Sequence, residues 1–386
     1  MQCLKRMQRL KHSPYTQHLR RTALLLICLA SGLGLSGCTT ASYYWQSVNG
    51  HVQMMRTARP VTDWLADGRT SEALRARLLL SQRIRDFATR TLKLPDNPSY
   101  RSYADLHRRA VVWNVVAAPP YSLTLKTWCF PITGCVGYRG YFDEAAANAE
   151  AELLKTEEGM EVSVYGVPAY STLGWMNWAG GDPLLNTFIG YPEGELARMV
   201  FHELAHQVAF ATDDMVFNES FATSVERLGA ERWLATQASP AARAEYEAFG
   251  AQRRAFRVLT LATRQALKVV YDSNPPLVHD APAFLAMKSG VMQRFRDDYA
   301  ALKAKSVQRG EPPAQWTGYD GWVARANNAT FAAQAAYDDL VPAFEALFKA
   351  QGGDWQRFYS AVKQLTKLPK DERALQLKQY LETPYG

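Results

Sequence analysis

One stretch limits what this chain can fold into more than any other. In "ARMVFHELAHQVAFA", residues 197–211, His202 and His206 sit four residues apart among apolar side chains. The apolar spacing predicts a helix with that face turned inward. Each helical residue adds about 100° of rotation, so the two imidazoles project from one face, one turn apart. Buried imidazoles without partners cost desolvation, which core hydrogen bonds or a shared metal ion relieve. Two ring nitrogens at this spacing can reach one ion, and Glu203, one step round, can reach a water beside it.

This is the H-E-x-x-H arrangement of zinc metallopeptidases, with the glutamate as general base. A catalytic zinc takes three protein ligands and an open position, so a further ligand is expected from a neighbouring element. Glu219 lies thirteen residues past His206, after a polar turn at "TDD" and near the start of the helical run "NESFATSVERLGAERWLA". Two antiparallel helices joined there bring Glu219 opposite the histidines. Glu226, seven residues on and on the same helical face, is expected behind the ligands, bonded to a histidine N–H. Asn218 is expected to cap the second helix. The expected cofactor is one Zn2+ per chain.

The rest of the chain supplies a frame for that pair. "YYWQSVNGHVQMMRTA" and "SEALRARLLLSQRIRDFATRTL" carry apolar residues at helical spacing. "AVVWNVVAAPPYSLTLKTWCF" and "GYRGYF" are rich in β-branched and aromatic residues and read as strands. "DEAAANAEAELLKTEEG" reads as a helix closed by Gly159, and "EVSVYGVPAYSTLG" as a strand to about Val164. Pro168 then argues for an edge strand or a loop, because proline donates no ladder hydrogen bond. From Glu193 onward the pattern is almost all helical. The expected fold class is α+β: a small mixed sheet, with the active-site helix packed on a large, mainly helical lobe. Residues 38–386 are expected to form one domain, with an α/β lobe over about 100–212 and a helical lobe over about 213–386 that includes the N-terminal helices.

The formal charge of +7 points away from nucleic acid once it is located. Lys5, Arg6, Arg9, Lys11, Arg20 and Arg21 carry six positive charges, and residues 1–37 hold no acid, which leaves +1 for the body. The basic start runs into "TALLLICLASGLGL", an apolar run of signal-peptide length that is short for a bilayer span. "LSGC", Leu35 to Cys38, resembles the bacterial lipobox. That resemblance implies a signal peptide over 1–37, lipid on Cys38 as the first mature residue, and attachment in the cell envelope. Thr39 at the next position implies the outer membrane, on its periplasmic face. In that oxidising compartment Cys129 and Cys135, in "CFPITGC", are expected to form a disulfide.

H-E-x-x-H followed by N-E-x-x-A on the next helix resembles the gluzincin metallopeptidases. More closely, the chain resembles a family of predicted aminopeptidases found as bacterial envelope lipoproteins. That likeness extends over "WNVVAAPPYSLTLKTWCFPITGCVGYRGYFDEAAA", "GVPAYSTLGW" and "DPLLNTF". It implies a zincin-like fold, zinc on His202, His206 and Glu219, Glu203 as base, and a peptide substrate. It places "GVPAYSTLGW" where zincins carry a substrate-pairing edge strand, making Gly166, Ala169 and Tyr170 candidate substrate contacts. Tyr170, Tyr271 and Tyr337 are the candidate oxyanion donors. The chain departs from the zinc aminopeptidases in its shorter gap between His206 and Glu219, and it has no G-x-M-E-N segment to grip a free amine. Asp182 or Glu193 are candidates for that task, and Asn327 and Asn328 either line the cleft or start a helix. Aminopeptidase action leads. A zinc endopeptidase or amidase on cell-wall peptides and a catalytically silent envelope scaffold stay open, and the sequence does not set the oligomeric state.

Overall fold

The computed structural model describes residues 42–130, 134–273, 282–336 and 339–382. The leader, Cys38 and Tyr337 lie outside the described residues. The chain divides into two compact units between Gln53 and Met54. In the first, the described residues 42–53 are helical. The second, from Met54 on, carries all of the elements that follow.

In chain order they are β1 Arg59–Pro60, α1 Val61–Ala66, α2 Glu72–Arg90, β2 Ser102–Ala104, β3 Val112–Ala118, β4 Trp128–Phe130, β5 Gly134–Val136, β6 Arg139–Tyr141, α3 Glu144–Thr156, β7 Glu161–Val167 and β8 Leu184–Leu185. After these come α4 Glu193–His206, α5 Met215–Thr236, α6 Pro240–Asp272, α7 Pro282–Gln308, α8 Thr317–Arg325, α9 Asn328–Ala336, α10 Val341–Ala350, α11 Trp355–Leu365 and α12 Lys370–Glu382. The fold is α+β and mostly helical, with small sheets.

The expected single mixed sheet is replaced by three sheets. β2 pairs antiparallel with β1 and parallel with β8. β3 lies between β6 and β7, antiparallel to both. β4 and β5 form a separate hairpin. The reason is strand length: β3 and β7 have seven residues each, the others two or three, so only that pair sustains a long ladder. β7 continues three residues past Val164, stops before Pro168, and is the edge of its sheet.

Side-chain caps fix where the long helices begin. Ser71, Asp143, Asp214 and Ser239 accept from the backbone N–H three residues on, starting α2, α3, α5 and α6. The cap of α5 is therefore Asp214, not Asn218. Asn218 lies in the first turn and faces back, its Oδ1 accepting from Ala211 N at 2.7 Å and its Nδ2 donating to Ala211 O at 2.8 Å. That two-point clasp holds the turn between α4 and α5.

α4 and α5 run antiparallel and pack along their length, as the contacts Glu193–Trp233, Arg198–Glu226 and His206–Glu219 show. Phe201, Leu204, Phe217, Phe221, Trp233 and Phe344 share one core around them. Gly229 permits the close approach: a Cβ there would lie 2.7 Å from Leu92 Cδ1 and 2.9 Å from Phe201 Cδ2. A second core, including Phe256, Phe284, Phe295, Trp316 and Phe331, ties α6 and α7 to α8 and α9.

Cys129 and Cys135 form a disulfide across the β4–β5 hairpin. The hairpin reaches the α4–α5 turn, where Cys135 N donates to Asp213 Oδ1. Gly134 has a φ of +70°, and a Cβ there would collide with the Asp213 carboxylate. Among the described residues, no helix is long and apolar enough to cross a membrane.

Candidate metal centre

α4 presents Arg198, His202 and His206 on successive turns of one face, and α5 sets Glu219 and Glu226 against them. His202 Nε2 and His206 Nε2 are 3.2 Å apart. Glu219 Oε2 lies 3.3 Å from the first and 3.7 Å from the second. Tetrahedral bonds of about 2.0–2.1 Å set ligand atoms about 3.3–3.4 Å apart, so three donors spaced this way fit one face of a zinc tetrahedron. Glu219 Oε2 is also buried, and among the described residues its close approaches are the ion-pair contacts with the two rings. A buried carboxylate oxygen left so is costly unless a cation meets it. Among the described residues these three side chains form a group able to hold a metal ion.

The surroundings orient that triangle. Glu226 Oε2 is 2.9 Å from His202 Nδ1, and its other oxygen accepts from Arg198 Nη2. With Nε2 turned toward His206 and Glu219, Nδ1 faces Glu226, whose carboxylate fixes the ring. Burial alone would raise the Glu226 pKa, but Arg198 and His202 hold it at about 2. Burial pushes His206 down to about 4, which keeps it neutral, the form that ligates. Burial works against charge on His202, yet Glu219, Glu226 and Glu203 outweigh it and raise its pKa well above the usual value. Glu219 itself is lowered: burial opposes its charge, and the two histidines prevail. Glu203, Glu219 and Glu226 thus crowd two imidazoles with one guanidinium, Arg198, among them. A divalent ion would balance that excess of negative charge.

Glu203 and His202 line a cavity of about 750 Å³. Burial pushes the Glu203 carboxyl up to about 7, the nearby carboxylates add to this, and His202 opposes it. A cation on the triad would bring it back down. Residues 163–169 of β7 and the bend after it form one wall of the cavity, and Gly166 and Ala169 are among them. The helical walls come from α4 to α6, α8 and α9.

The other sequence-derived candidates lie elsewhere. Asp182 is fully buried and accepts from Thr172 N at 3.1 Å and Thr172 Oγ1 at 2.8 Å. It ties down the loop after β7 and lines no part of the cavity. Glu193 accepts from Trp233 Nε1 at 3.0 Å. Tyr170 packs on Phe142 and is absent from the cavity wall. Tyr271 is buried in the second core, where its hydroxyl donates to Asn328 Oδ1 at 2.7 Å. Asn328 begins α9 and also donates to the carbonyls of Pro119 and Pro120, so it pins a helix start and does not face the cleft.

The cavity contains residues that sequence reasoning missed. Tyr165 lines it and is the lining tyrosine in electrostatic contact with Glu219. Burial raises its pKa to about 12, so its hydroxyl keeps its proton. Its place on the edge strand β7, one residue before the candidate Gly166, was the available signal. Outside the cavity wall, Tyr100 is buried, and its hydroxyl has no partner among the described residues. Burial first, then the Glu203 and Asp182 carboxylates, raise its pKa. Five arginines also line the cavity, although the near-neutral body suggested no basic patch.

Comparison with curated proteins and with solved structures finds no match. A family model described as "Putative aminopeptidase" matches residues 42–377, spanning both α4 and α5. The chain belongs to that family.

Proposed function

We propose that this protein is a zinc-dependent peptidase of the zincin type, acting as an aminopeptidase. His202, His206 and Glu219 would hold one zinc ion, and Glu203 would be the general base. The observation that carries this reading is the triangle of donor atoms on His202, His206 and Glu219, with His202 and Glu203 lining the adjoining cavity. Bound there, zinc would supply Lewis-acid chemistry, acidifying water and polarising a peptide carbonyl.

The remaining work falls to the chain's own groups. Glu203 takes a proton from the attacking water on a carboxylate oxygen while the water oxygen bonds to the carbonyl carbon. As the C–N bond breaks, the same oxygen passes that proton to the departing nitrogen. Tyr165, held protonated, donates to the oxygen on which charge develops. β7 has no strand on its outer side among the described residues, and a peptide laid along it would bind as an added strand. The "LSGC" motif supports tethering through lipid on Cys38 in the bacterial envelope, at the periplasmic face of the outer membrane.

The endopeptidase reading draws on one observation. Among the described residues the acids of the cavity wall are Glu203 and Glu226, and Glu226 is already bonded to Arg198 and His202. Among the described residues no further lining carboxylate is left over for a substrate ammonium. No observation favours a catalytically silent scaffold.

Glu203→Gln tests the central reading. The expected outcome is about one zinc per chain in both proteins, with peptide hydrolysis in the wild type only. Equal rates would remove Glu203 as the base. An N-acetylated peptide cut as fast as its free counterpart would replace aminopeptidase by endopeptidase action.

A further inference from the structure

The bend after β7 carries two of the most exposed large apolar side chains among the described residues. Trp175 is 63 % exposed and Trp178 83 %. The loop that bears them is fastened along its inner side. Asn177 Oδ1 accepts from Ser99 Oγ at 3.1 Å, and Asp182 accepts from Thr172 N at 3.1 Å. Gly181 fits against Ser99, where a Cβ would lie 2.5 Å from the Ser99 nitrogen. None of residues 170–181 lines the cavity beside Glu203. Residues 162–192 contain one charged side chain, Asp182, and it is buried. The loop thus shows solvent two indoles and no charge. Indole rings favour the boundary between lipid headgroups and acyl chains, where the ring is dry and its N–H meets water.

The path of the chain says what the loop faces. The second unit begins at Met54. A Cβ on Gly180 would lie 3.8 Å from Met55 Cε, so the tryptophan loop adjoins that beginning. Cys38 precedes Met55 by 17 residues, a span of at most about 60 Å. Residues 39–55 hold no Asp, Glu, Lys or Arg. In the first unit, taken by itself, the exposed Trp45, Val48 and Val52 recur at helical spacing on one face.

We infer that Trp175 and Trp178 form a lipid contact, seating both indoles at the headgroup boundary of a bilayer. Two rings on one fastened loop give the second unit a fixed face toward the membrane, which a tether at Cys38 alone does not. Apolar burial supplies the affinity, because the loop has no charge to offer headgroups. The inference takes the kind of partner from the tether reading of Cys38, while the contact stands on the loop itself.

The test uses the chain from residue 38 on, which holds every described element, with Cys38→Ser so that no lipid is attached. It is sedimented with vesicles of phosphatidylethanolamine and phosphatidylglycerol. The protein is expected to bind, and Trp175→Ser with Trp178→Ser should weaken binding about tenfold or more. Phenylalanine at both positions should recover most of the loss, which separates lost apolar contact from a lost fold. Bromine on the acyl chains should quench the parent's tryptophan fluorescence. Binding should persist at about 1 M salt, where adsorption by charge is screened. Serine variants that bind within twofold of the parent would overturn the inference. So would a folded parent that neither sediments nor is quenched, or binding that salt abolishes. A raised KM for a soluble peptide with vesicle binding unchanged would give the loop to the substrate and overturn it too. The peptidase reading fails separately: vesicle binding through the tryptophans without peptide hydrolysis sinks that reading and leaves the lipid contact, and hydrolysis without vesicle binding does the reverse.

Discussion

Replacing Glu226 by Gln isolates the support behind the metal triangle from the triangle itself. Glu226 meets two donors, His202 Nδ1 at 2.9 Å and Arg198 Nη2. Glutamine has one acceptor oxygen, so one of these donors must face an NH2 group. The fold loses a buried, charge-assisted hydrogen bond, at about 1.5–3 kcal/mol. The imidazole also loses the carboxylate that sets its tautomer and basicity, and removing such a partner lowers metal affinity about 10–100-fold. That range equals about 1.4–2.8 kcal/mol. Zinc affinity is measured by competition with a chromogenic chelator at neutral pH, and stability by urea unfolding of the metal-free protein. Both should fall in Glu226→Gln, with His202, His206 and Glu219 unchanged. A folded variant that binds zinc within twofold of the wild type would refute the claim that Glu226 orients His202.

The remaining predictions concern the frame around the site. Asn218→Ala leaves the Ala211 N–H buried without its partner and leaves the Ala211 C=O with Asp214 N alone, and should cost about 1–3 kcal/mol in chemical denaturation, with weaker zinc retention, since the clasp sets the His206-to-Glu219 turn. A variant as stable as the wild type would rule the clasp out as a fastener. Burial raises Asp182 from 3.8 to about 6, against the opposing contacts with Thr172 and Ser171. Between those values the folded chain keeps the proton and the unfolded chain does not. Stability therefore falls as pH rises from about 4 to about 6, by about 3 kcal/mol at most, and is flat on either side. Urea midpoints across that window should show the slope in the wild type and not in Asp182→Asn; matching slopes would contradict it. Serine at both Cys129 and Cys135 opens a short loop and should lower stability by roughly 2 kcal/mol in the chain-entropy account. Thermal melts of the double variant with and without reductant, superimposed on each other but lower than the oxidised wild type, are the expected result.

Local pattern set the helices. Ser71 before "EALRARLLL" and Asp143 before "EAAANAEAELL" are helix starts that a reader of the sequence can place, because a cap and its helix are neighbours in the chain. Pro168 likewise limits β7 from within its own few residues. His202, Glu203 and His206 share a face for the same reason, since a turn of helix is written in consecutive positions. The Asn218 cap was misread because Asp214, four residues earlier, competes for the same role and wins by satisfying Phe217 N.

What lies between elements was not written locally. Whether the strands would join one sheet or three depended on which short segments met, and Asp182 looked available until burial under the loop it holds removed it from the cleft. Tyr165 and the arginines came to the cavity from β7 and four helices, so their neighbourhood exists only after packing. Sequence alone determined the chemistry of a single helix face, where bonded geometry fixes which side chains stand together. Tertiary structure decided what faces that helix, because distant segments meet through the burial of Phe201, Phe217 and Phe221 in a common core, which acts over the whole chain.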